Sequence, residues 1–308
     1  SEQRSPAGEQ TVDGVKVLRV RNFSNKLAWK RLFIPEGFGF GLPHLMRNFD
    51  VIHLHEFRTL QNVYALPGLE SYNLPYIVMP QGGLPPELRR TALKQVYDAF
   101  YGGRLLRHAS RLHALTEMEK QQYLSMNLSP DRIIIIPNGI DVTAFDFEVD
   151  VAAFKRQHDI PEGQPVVGFL ARLSPIKGPE FLIDAFAQVL ARRPDAILVM
   201  VGPDDGSLGE LQAQIARLGI GKAVRFIGYV GNNEDKAAAY RSFDSYVLPS
   251  RYEIQGITPL EALLNETPTI TTDRCGSTTQ LVNADIARAV TFGDVAGLAD
   301  CILDMINN

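Results

Sequence analysis

The chain has 308 residues, is 45% hydrophobic and 21% charged, and carries a formal net charge of −4, the size and balance of a globular protein with more than one core. That balance argues against a nucleic-acid binder, no apolar run reaches the roughly 18–20 residues that cross a bilayer, and the polar residues 1–10 show no signal-peptide pattern. Two cysteines, Cys275 and Cys301, cannot build a disulfide framework and fit a reducing compartment.

In chain order, residues 15–20 alternate weakly and read as a strand, followed by a loop rich in glycine and aromatic residues to about Gly41. Lys16, Arg19, Arg21, Lys26, Lys30, Arg31 and Arg47 are opposed there only by Glu36, with Trp29, Phe33, Phe38 and Phe40 interleaved. Such a segment can rest on an anionic membrane surface or meet a phosphate-bearing acceptor; it can equally be a solvated loop face with some rings tucked inside. Strands are expected at 50–55, 76–79, 111–115 and 132–136. Helices are expected from Thr59 to about Tyr72, after Pro85-Pro86 with Leu88, Ala92, Val96, Ala99 and Phe100 at helical spacing, and from Glu117 to about Met126. The second half restarts the alternation, with strands at 165–171, 196–201, 224–227, 245–248 and 269–271. Its helices are expected at 152–157, 180–193, 208–218 (closed by Gly219), 234–241, after Thr258, near 278–282 and at 296–306. Strands alternating with helices predict an α/β chain of parallel sheets covered on both faces. The pattern divides it into two Rossmann-like domains, residues 1–146 and 147–308.

Residues 244–262 concentrate the chemistry. Tyr246, Val247 and Leu248 read as a buried strand closed by Pro249-Ser250, and a polar loop leads into a helix. Thr258 is a good N-cap, Pro259 suits the first helical position, and Glu261 three residues after the cap completes a capping box. Glu253 and Glu261 then flank a helix N-terminus, whose unpaired N–H groups form an anion site with acids beside it. A nucleotide sugar uses both features, although Glu261 could simply close the capping box. In doubly wound sheets ligands sit beyond the carboxyl ends of strands, so the loops after Ala171, Val201 and Leu248 must share one ledge. The first carries Arg172, Lys177 and Gly178, cations suited to phosphate or to a solvated turn. The second, residues 202–206, reads as turn chemistry. His53 and His55 share one face of a strand but fall short of a metal set. Cys275 reads as a packed small residue rather than a nucleophile, since no histidine partner is indicated.

These residues resemble a known family. Glu253 and Glu261 match the E-x7-E motif of the retaining, nucleotide-sugar-dependent glycosyltransferases of family 4, which have the two-domain GT-B fold. Gly168-Phe169-Leu170-Ala171-Arg172-Leu173 with Lys177-Gly178 looks like their G-R-L…K-G donor-diphosphate element, with Ala171 in place of the usual glycine. Phe226-Ile227-Gly228-Tyr229, the strand containing His53 and His55, Pro80-Gln81-Gly82-Gly83-Leu84, Thr116-Glu117 and Pro137-Asn138-Gly139 also match family elements. The chain departs from the pattern where Gln81 replaces a histidine and Gln255 replaces an aromatic residue. Asn265-Glu266-Thr267-Pro268 likewise replaces a common small-Gly-x-Pro. After residues 15–20 there is no glycine-rich loop, and the closing helix that crosses back to the first domain is missing, which implies a shortened N-terminal domain.

The resemblance implies transfer of a hexose from a uridine- or guanosine-diphosphate sugar to a glycan or lipid-linked hydroxyl, with retention and without a metal or other cofactor. Arg172, Lys177 and the helix start at Ile257 would stabilise the leaving diphosphate. Glu253 would hold the transferred sugar and Glu261 the ribose, with Gln255, Gly256 and Tyr229 also on the donor. Gln81, Gly82, His55 and Asn138 would line the acceptor cleft between two facing sheets. A cytoplasmic protein, with peripheral contact at the inner membrane face, is the expected setting. The alternatives are a non-catalytic nucleotide-sugar or glycan binder and a GT-B nucleotide-sugar epimerase.

Overall fold

A computed structural model describes residues 7–24, 26–27, 33–85 and 91–307. Trp29, Lys30 and Arg31 of the basic, aromatic segment lie outside the described residues, as do Pro86 and Leu88. The chain forms two compact units, Ser1–Ile136 and Pro137–Asn308. Residues 137–146, which the alternation alone assigns to the first half, group with the second. There the Arg241 guanidinium donates to the carbonyls of Phe145 and Phe147 at 2.8 Å each, and the Phe145 ring packs edge-on against Tyr240.

In the first unit, β1 (Gly8–Val12) and β2 (Val15–Arg19) form an antiparallel hairpin. Asp13 and Gly14, at φ 50° and 80°, make its turn; two successive positive φ values match the right-handed twist of the flanking strands. Residues 15–19 therefore pair locally instead of opening the parallel sheet. The Asp-Gly pair was the signal for that turn.

The parallel sheet itself has four strands in the order β3 (Ile52–His55), β4 (Tyr76–Met79), β5 (Arg111–Ala114) and β6 (Ile133–Ile135). Thr59 and Thr116 cap the helices Leu60–Ser71 and Glu117–Ser125 by accepting from Asn62 N and Glu119 N. Val78, Leu112, Leu66, Leu69, Leu105, Leu106 and Tyr123 fill the core of the unit. The expected helix after residue 85 is broken: Thr91–Tyr97 runs into a π-turn at Asp98–Gly102 and then Gly103–His108. Val96 and Phe100, two of the apolar residues at helical spacing, are exposed. The turn instead buries Gly102, which has no room for a side chain between Asp98 and the Phe57 ring.

The second unit holds six parallel strands, β7 (Val166–Leu170), β8 (Ile197–Val201), β9 (Val224–Gly228), β10 (Ser245–Leu248), β11 (Thr269–Thr272) and β12 (Ala287–Val290), in the order β12-β11-β10-β7-β8-β9. The chain read alone does not reveal β12, a short edge strand with two exposed residues. β7 and β8 are buried along their whole length because both faces are covered. Phe169, Leu182, Phe186, Leu198, Met200 and Ile302 pack on one face, and Leu170, Val199, Tyr240, Phe243, Tyr246 and Ala262 on the other. Strand order reverses between β7 and β10, and that switch point is where an open α/β sheet leaves a crevice for ligand.

Gly168 sits beneath Phe243, and a β-carbon there would overlap the ring. Gly168→Ala is expected to lower the unfolding free energy by about 1–3 kcal/mol through overpacking. In urea unfolding, the added change Phe243→Leu should recover part of that loss, because the smaller side chain vacates the clash.

Candidate functional site

Three loops leave the carboxyl ends of β7, β8 and β10. The first and third flank the switch point. Gly178, at φ 66°, lies so close to Pro249 that a β-carbon would overlap the Pro249 carbonyl oxygen. Arg251 N–H donates to Ile176 O at 2.9 Å beside it. The first and second loops are laced as tightly. Leu173 N–H donates to Pro203 O at 2.9 Å, Asp205 N–H donates to Leu173 O at 3.0 Å, and Gly202 has no space for a side chain against Ala171 O.

This lacing brings Lys177 of the first loop onto Glu253 of the third, Nζ hydrogen-bonded to Oε2. The two side chains are 19% and 17% exposed, so the pair is shielded yet reachable from solvent. Glu253 is held in turn by its backbone: its N–H donates to Arg274 O at 3.0 Å and its carbonyl accepts from Gly276 N–H at 2.8 Å. Arg172 does not join that pair. It binds Asp205 of the second loop, which gives that loop a role beyond its turn, and the turn itself closes on Asp204 Oδ1 through the N–H groups of Gly206, Ser207 and Leu208.

The helix after the third loop starts differently from the sequence expectation. It runs Ile257–Leu264 with Gly256, at φ 78°, at the cap position and no side-chain cap. Thr258 lies inside the first turn, where its Oγ1 accepts from the buried Tyr246 hydroxyl at 2.7 Å. Glu261 closes no capping box; its Oε2 accepts from Tyr240 Oη at 2.8 Å and its Oε1 from Lys236 Nζ at 3.4 Å. A left-handed cap position that glycine fills without strain sets the start two residues earlier than Thr258 would. Burial pushes the phenols of Tyr240 and Tyr246 well above their ordinary range, so both stay protonated donors.

Gln255 is buried, and its carboxamide grips the backbone of Asn138: Asn138 N–H donates to Oε1 at 2.8 Å and Nε2 donates to Asn138 O at 3.0 Å. The carbonyl of Gln255 accepts from Ser277 Oγ and from Cys275 Sγ, the latter at 3.3 Å. Cys275 is a packed residue, its thiol pushed up by burial and its sulfur close under Gly256. Tyr229 projects into solvent, 75% exposed, after β9. A cavity of about 780 Å³ in this unit lies between residues 146–148, Arg241 and residues 264–267, at the amino ends of β10 and β11. It contains none of the candidate residues.

In the first unit, the carboxyl edge of the sheet gathers three histidines. His53 and His55 share a face as expected, and His113 of β5 joins them, a residue the sequence reading passed over. His113 Nε2 donates to Ile136 O at 2.7 Å, leaving Nδ1 to accept from His53 Nε2 at 3.5 Å. Burial, then the neighbouring His55 and His113, hold His53 below the usual imidazole range. Gln81 Nε2 donates to His55 Nδ1 at 3.2 Å. Beneath them is Glu119, also unanticipated although Thr116-x-x-Glu119 is a capping-box spacing. Among the described residues no group of three His, Cys, Asp or Glu is placed to hold a metal ion.

With this geometry in place, the comparisons with known proteins decide the family. The profile described as glycosyl transferases group 1 matches residues 150–308, and that of the glycosyl transferase 4-like domain matches residues 1–139. The chain belongs to the group 1 glycosyltransferases. An uncharacterised glycosyltransferase of Methanocaldococcus jannaschii is 29% identical over 85% of this chain and 67% of its own. A D-inositol 3-phosphate glycosyltransferase of Jonesia denitrificans is 30% identical over 76% of this chain and 58% of its own. The chain spans about half to two-thirds of the length of the curated relatives it matches. Among solved structures, Anabaena HepE in complex with UDP and glucose superposes with a TM-score of 0.75 at 24% identity, covering 88% of this chain and 72% of that one. Sucrose-phosphate synthase from Thermosynechococcus elongatus gives 0.77 at 20% identity, covering 99% and 77%. The fold is the GT-B type of these glycosyltransferases.

The two acids at the E-x7-E spacing thus differ in their surroundings: Glu253 is paired with Lys177 at the switch point and Glu261 is tied to Tyr240. Gln255, where an aromatic residue is usual, supplies the bond pair to Asn138. Replacing it by leucine of similar size strands both backbone groups of Asn138. Gln255→Leu is expected to cost about 1–3 kcal/mol of stability in urea unfolding.

Proposed function

We propose that this chain carries the donor site of a retaining hexosyltransferase that uses a nucleoside-diphosphate sugar and needs no metal. The observation that carries the reading is the Lys177–Glu253 pair at the switch point, one loop turn from the helix start at Ile257. A sugar nucleotide has a hydroxyl-rich ring joined to a diphosphate, and the two halves call for a carboxylate and a cation side by side. On donor binding, Glu253 accepts from sugar hydroxyls while Lys177 turns to the diphosphate, backed by Arg172 and by the N–H groups at the start of the Ile257–Leu264 helix. Glu261, steadied by Tyr240 and Lys236, faces the ribose. Gln255, Gly256 and Tyr229 complete the donor surface.

In the proposed step the bond from the anomeric carbon to the diphosphate oxygen breaks as the acceptor oxygen bonds to that carbon on the same face. The acceptor's proton passes to a donor phosphate oxygen, and the nucleoside diphosphate leaves. Lysine and arginine supply the positive charge that a metal supplies elsewhere. Gln81, Gly82, His55 and Asn138 offer donors and acceptors of the kind a sugar or lipid-linked hydroxyl meets. Uridine is the favoured base, because the Anabaena neighbour was solved with UDP, with UDP and glucose, and with UDP-glucose. No helix among the described residues is long and apolar enough to cross a membrane. Any membrane contact would fall to the basic, aromatic segment before residue 48.

Nucleotide release from a panel of uridine- and guanosine-diphosphate sugars tests the reading, with thermal unfolding in parallel. UDP at a hundred times its Kd should stabilise the fold by about 2.7 kcal/mol. Lys177→Ala should lower kcat by roughly 10²–10³, as for other lost donors to a growing anion, while weakening binding of free UDP far less. Equal losses in both would remove the transition-state role. Stabilisation without release from any donor would leave a nucleotide-sugar binder in place of a transferase.

A further inference from the structure

In the first unit, residues 80–84 follow β4 and form a turn whose shape needs explaining. Gln81 and Gly82 both have positive φ, 50° and 80°, and Gly83 N–H donates back to Pro80 O at 2.9 Å. Glycine takes such a conformation freely; glutamine takes it only where its surroundings hold it there. The restraint comes from two charged groups on opposite sides of the turn.

On one side is Glu119, fully buried in the first turn of the Glu117–Ser125 helix. Its Oε1 accepts from Gly82 N–H at 2.6 Å and its Oε2 from Leu115 N–H at 2.8 Å. Both carboxylate oxygens are therefore spent on backbone, one of them in the turn. On the other side, the Arg58 guanidinium donates to the carbonyls of Gly83 and of Leu84, the latter at 3.0 Å. Arg58 is itself fixed by Asp98, Nε to Oδ1 at 2.8 Å and Nη2 to Oδ2 at 2.5 Å, and lies over the Phe57 ring. The exposed product of this clamp is the Gln81 carboxamide, directed onto His55 at the carboxyl edge of the sheet.

We infer that Glu119 is a positioning residue: its buried carboxylate, opposed by Arg58, holds the Pro80–Leu84 turn so that Gln81 presents its carboxamide beside His55 to a neutral hydroxyl-bearing ligand. A buried carboxylate is costly, and burial pushes the Glu119 carboxyl up against the opposing pull of the Gly82 and Leu115 N–H groups. A residue needed only for the helix start would cap it with its own backbone partner, as the Thr116 hydroxyl already does for Glu119 N. Beyond its bond to Leu115 N–H beside that start, Glu119 reaches across to the loop after β4. The recognition it supports is of neutral groups: Gln81 cannot titrate, His53 is held below the usual imidazole range, and Gln81 leaves His55 Nε2 as the ring's donor.

The ligand class rests on the transferase reading, whereas the clamp does not, and the test separates them. Glu119→Gln keeps size but can accept only one of the two N–H groups. In ¹H–¹⁵N spectra of the free protein, the Gly82 amide proton should move upfield and its exchange should speed up at least tenfold, with other amides of the Glu117–Ser125 helix unchanged. Unchanged Gly82 exchange in a folded Glu119→Gln protein overturns the clamp. Should that variant fail to fold, Arg58→Lys, which loses the forked contact to Gly83 and Leu84, is read at the same amide with the same two outcomes.

Kinetically, Glu119→Gln and the surface change Gln81→Ala should each lower kcat with acceptor at least tenfold, with the donor KM within twofold of the parent. The double variant should be no worse than either single change, since both remove the same presented group. Losses that multiply in the double variant overturn the positioning role. A parent protein with no turnover on any donor would overturn the ligand assignment while leaving the amide result to stand.

Discussion

Residue 178 can rest against the carbonyl of Pro249 only because it has no side chain. That contact joins the loop after β7 to the loop after β10 at the point where the strand order reverses, and the rest of the donor-side geometry depends on it. Lys177 precedes the contact and Glu253 follows it by four residues, so the approach of two backbones is what turns two distant charges into a half-buried pair. Removing either partner would leave the other partly desolvated and unpaired, which is why such a pair holds its loops as firmly as it offers its charges. Gly202 does the same for the second loop, and Arg172 is drawn there, onto Asp205, and away from Glu253.

Beneath these loops the strands are uniform in purpose. β7 and β8 are apolar from end to end because helices cover both faces, and they give the ledge a rigid base. The buried phenols of Tyr240 and Tyr246 carry that rigidity to the site: one donates to Glu261 and the other to Thr258, so the helix that begins at Ile257 is fixed from below by neutral donors. Gln255 ties the same loop to Asn138 through both of its polar atoms. The first unit repeats the principle with other means. There a carboxylate and a guanidinium, not glycines, impose the shape of the loop after β4, and the strained residue they hold is Gln81.

Much of this was legible from residue order. The strands at 76–79 and 245–248, the helix 208–218 with its Gly219 stop, and the Thr59 and Thr116 starts follow from apolar runs and capping chemistry, which act over a few residues. The hairpin of β1 and β2 was equally local, written in Asp13-Gly14; residues 15–20 read as a strand, but its partner β1 was overlooked because Gly8–Val12 is too polar and exposed to look like one. The start of the Ile257–Leu264 helix was misjudged for a different reason. Thr258, Pro259 and Glu261 satisfy a capping rule by sequence, but Tyr246, twelve residues earlier and fully buried, needed the Thr258 oxygen, and Tyr240 needed that of Glu261. His113 and Glu119 were missed because their partners, His53 and Gly82, are sixty and thirty-seven residues away.

The sequence by itself determined the α/β alternation, the family motif with Glu253 and Glu261, and the identity of the basic loop that carries Arg172 and Lys177, all of them features of neighbouring residues. Only the tertiary structure decided which charges meet. Lys177 pairs with Glu253 while Arg172 turns to Asp205, and Glu119 leaves its own helix to hold Gly82. The reason is physical: backbone propensities are fixed within a turn or a strand, whereas the partner of a half-buried charge is set by which loops the strand order brings together and by where a missing side chain lets two backbones touch.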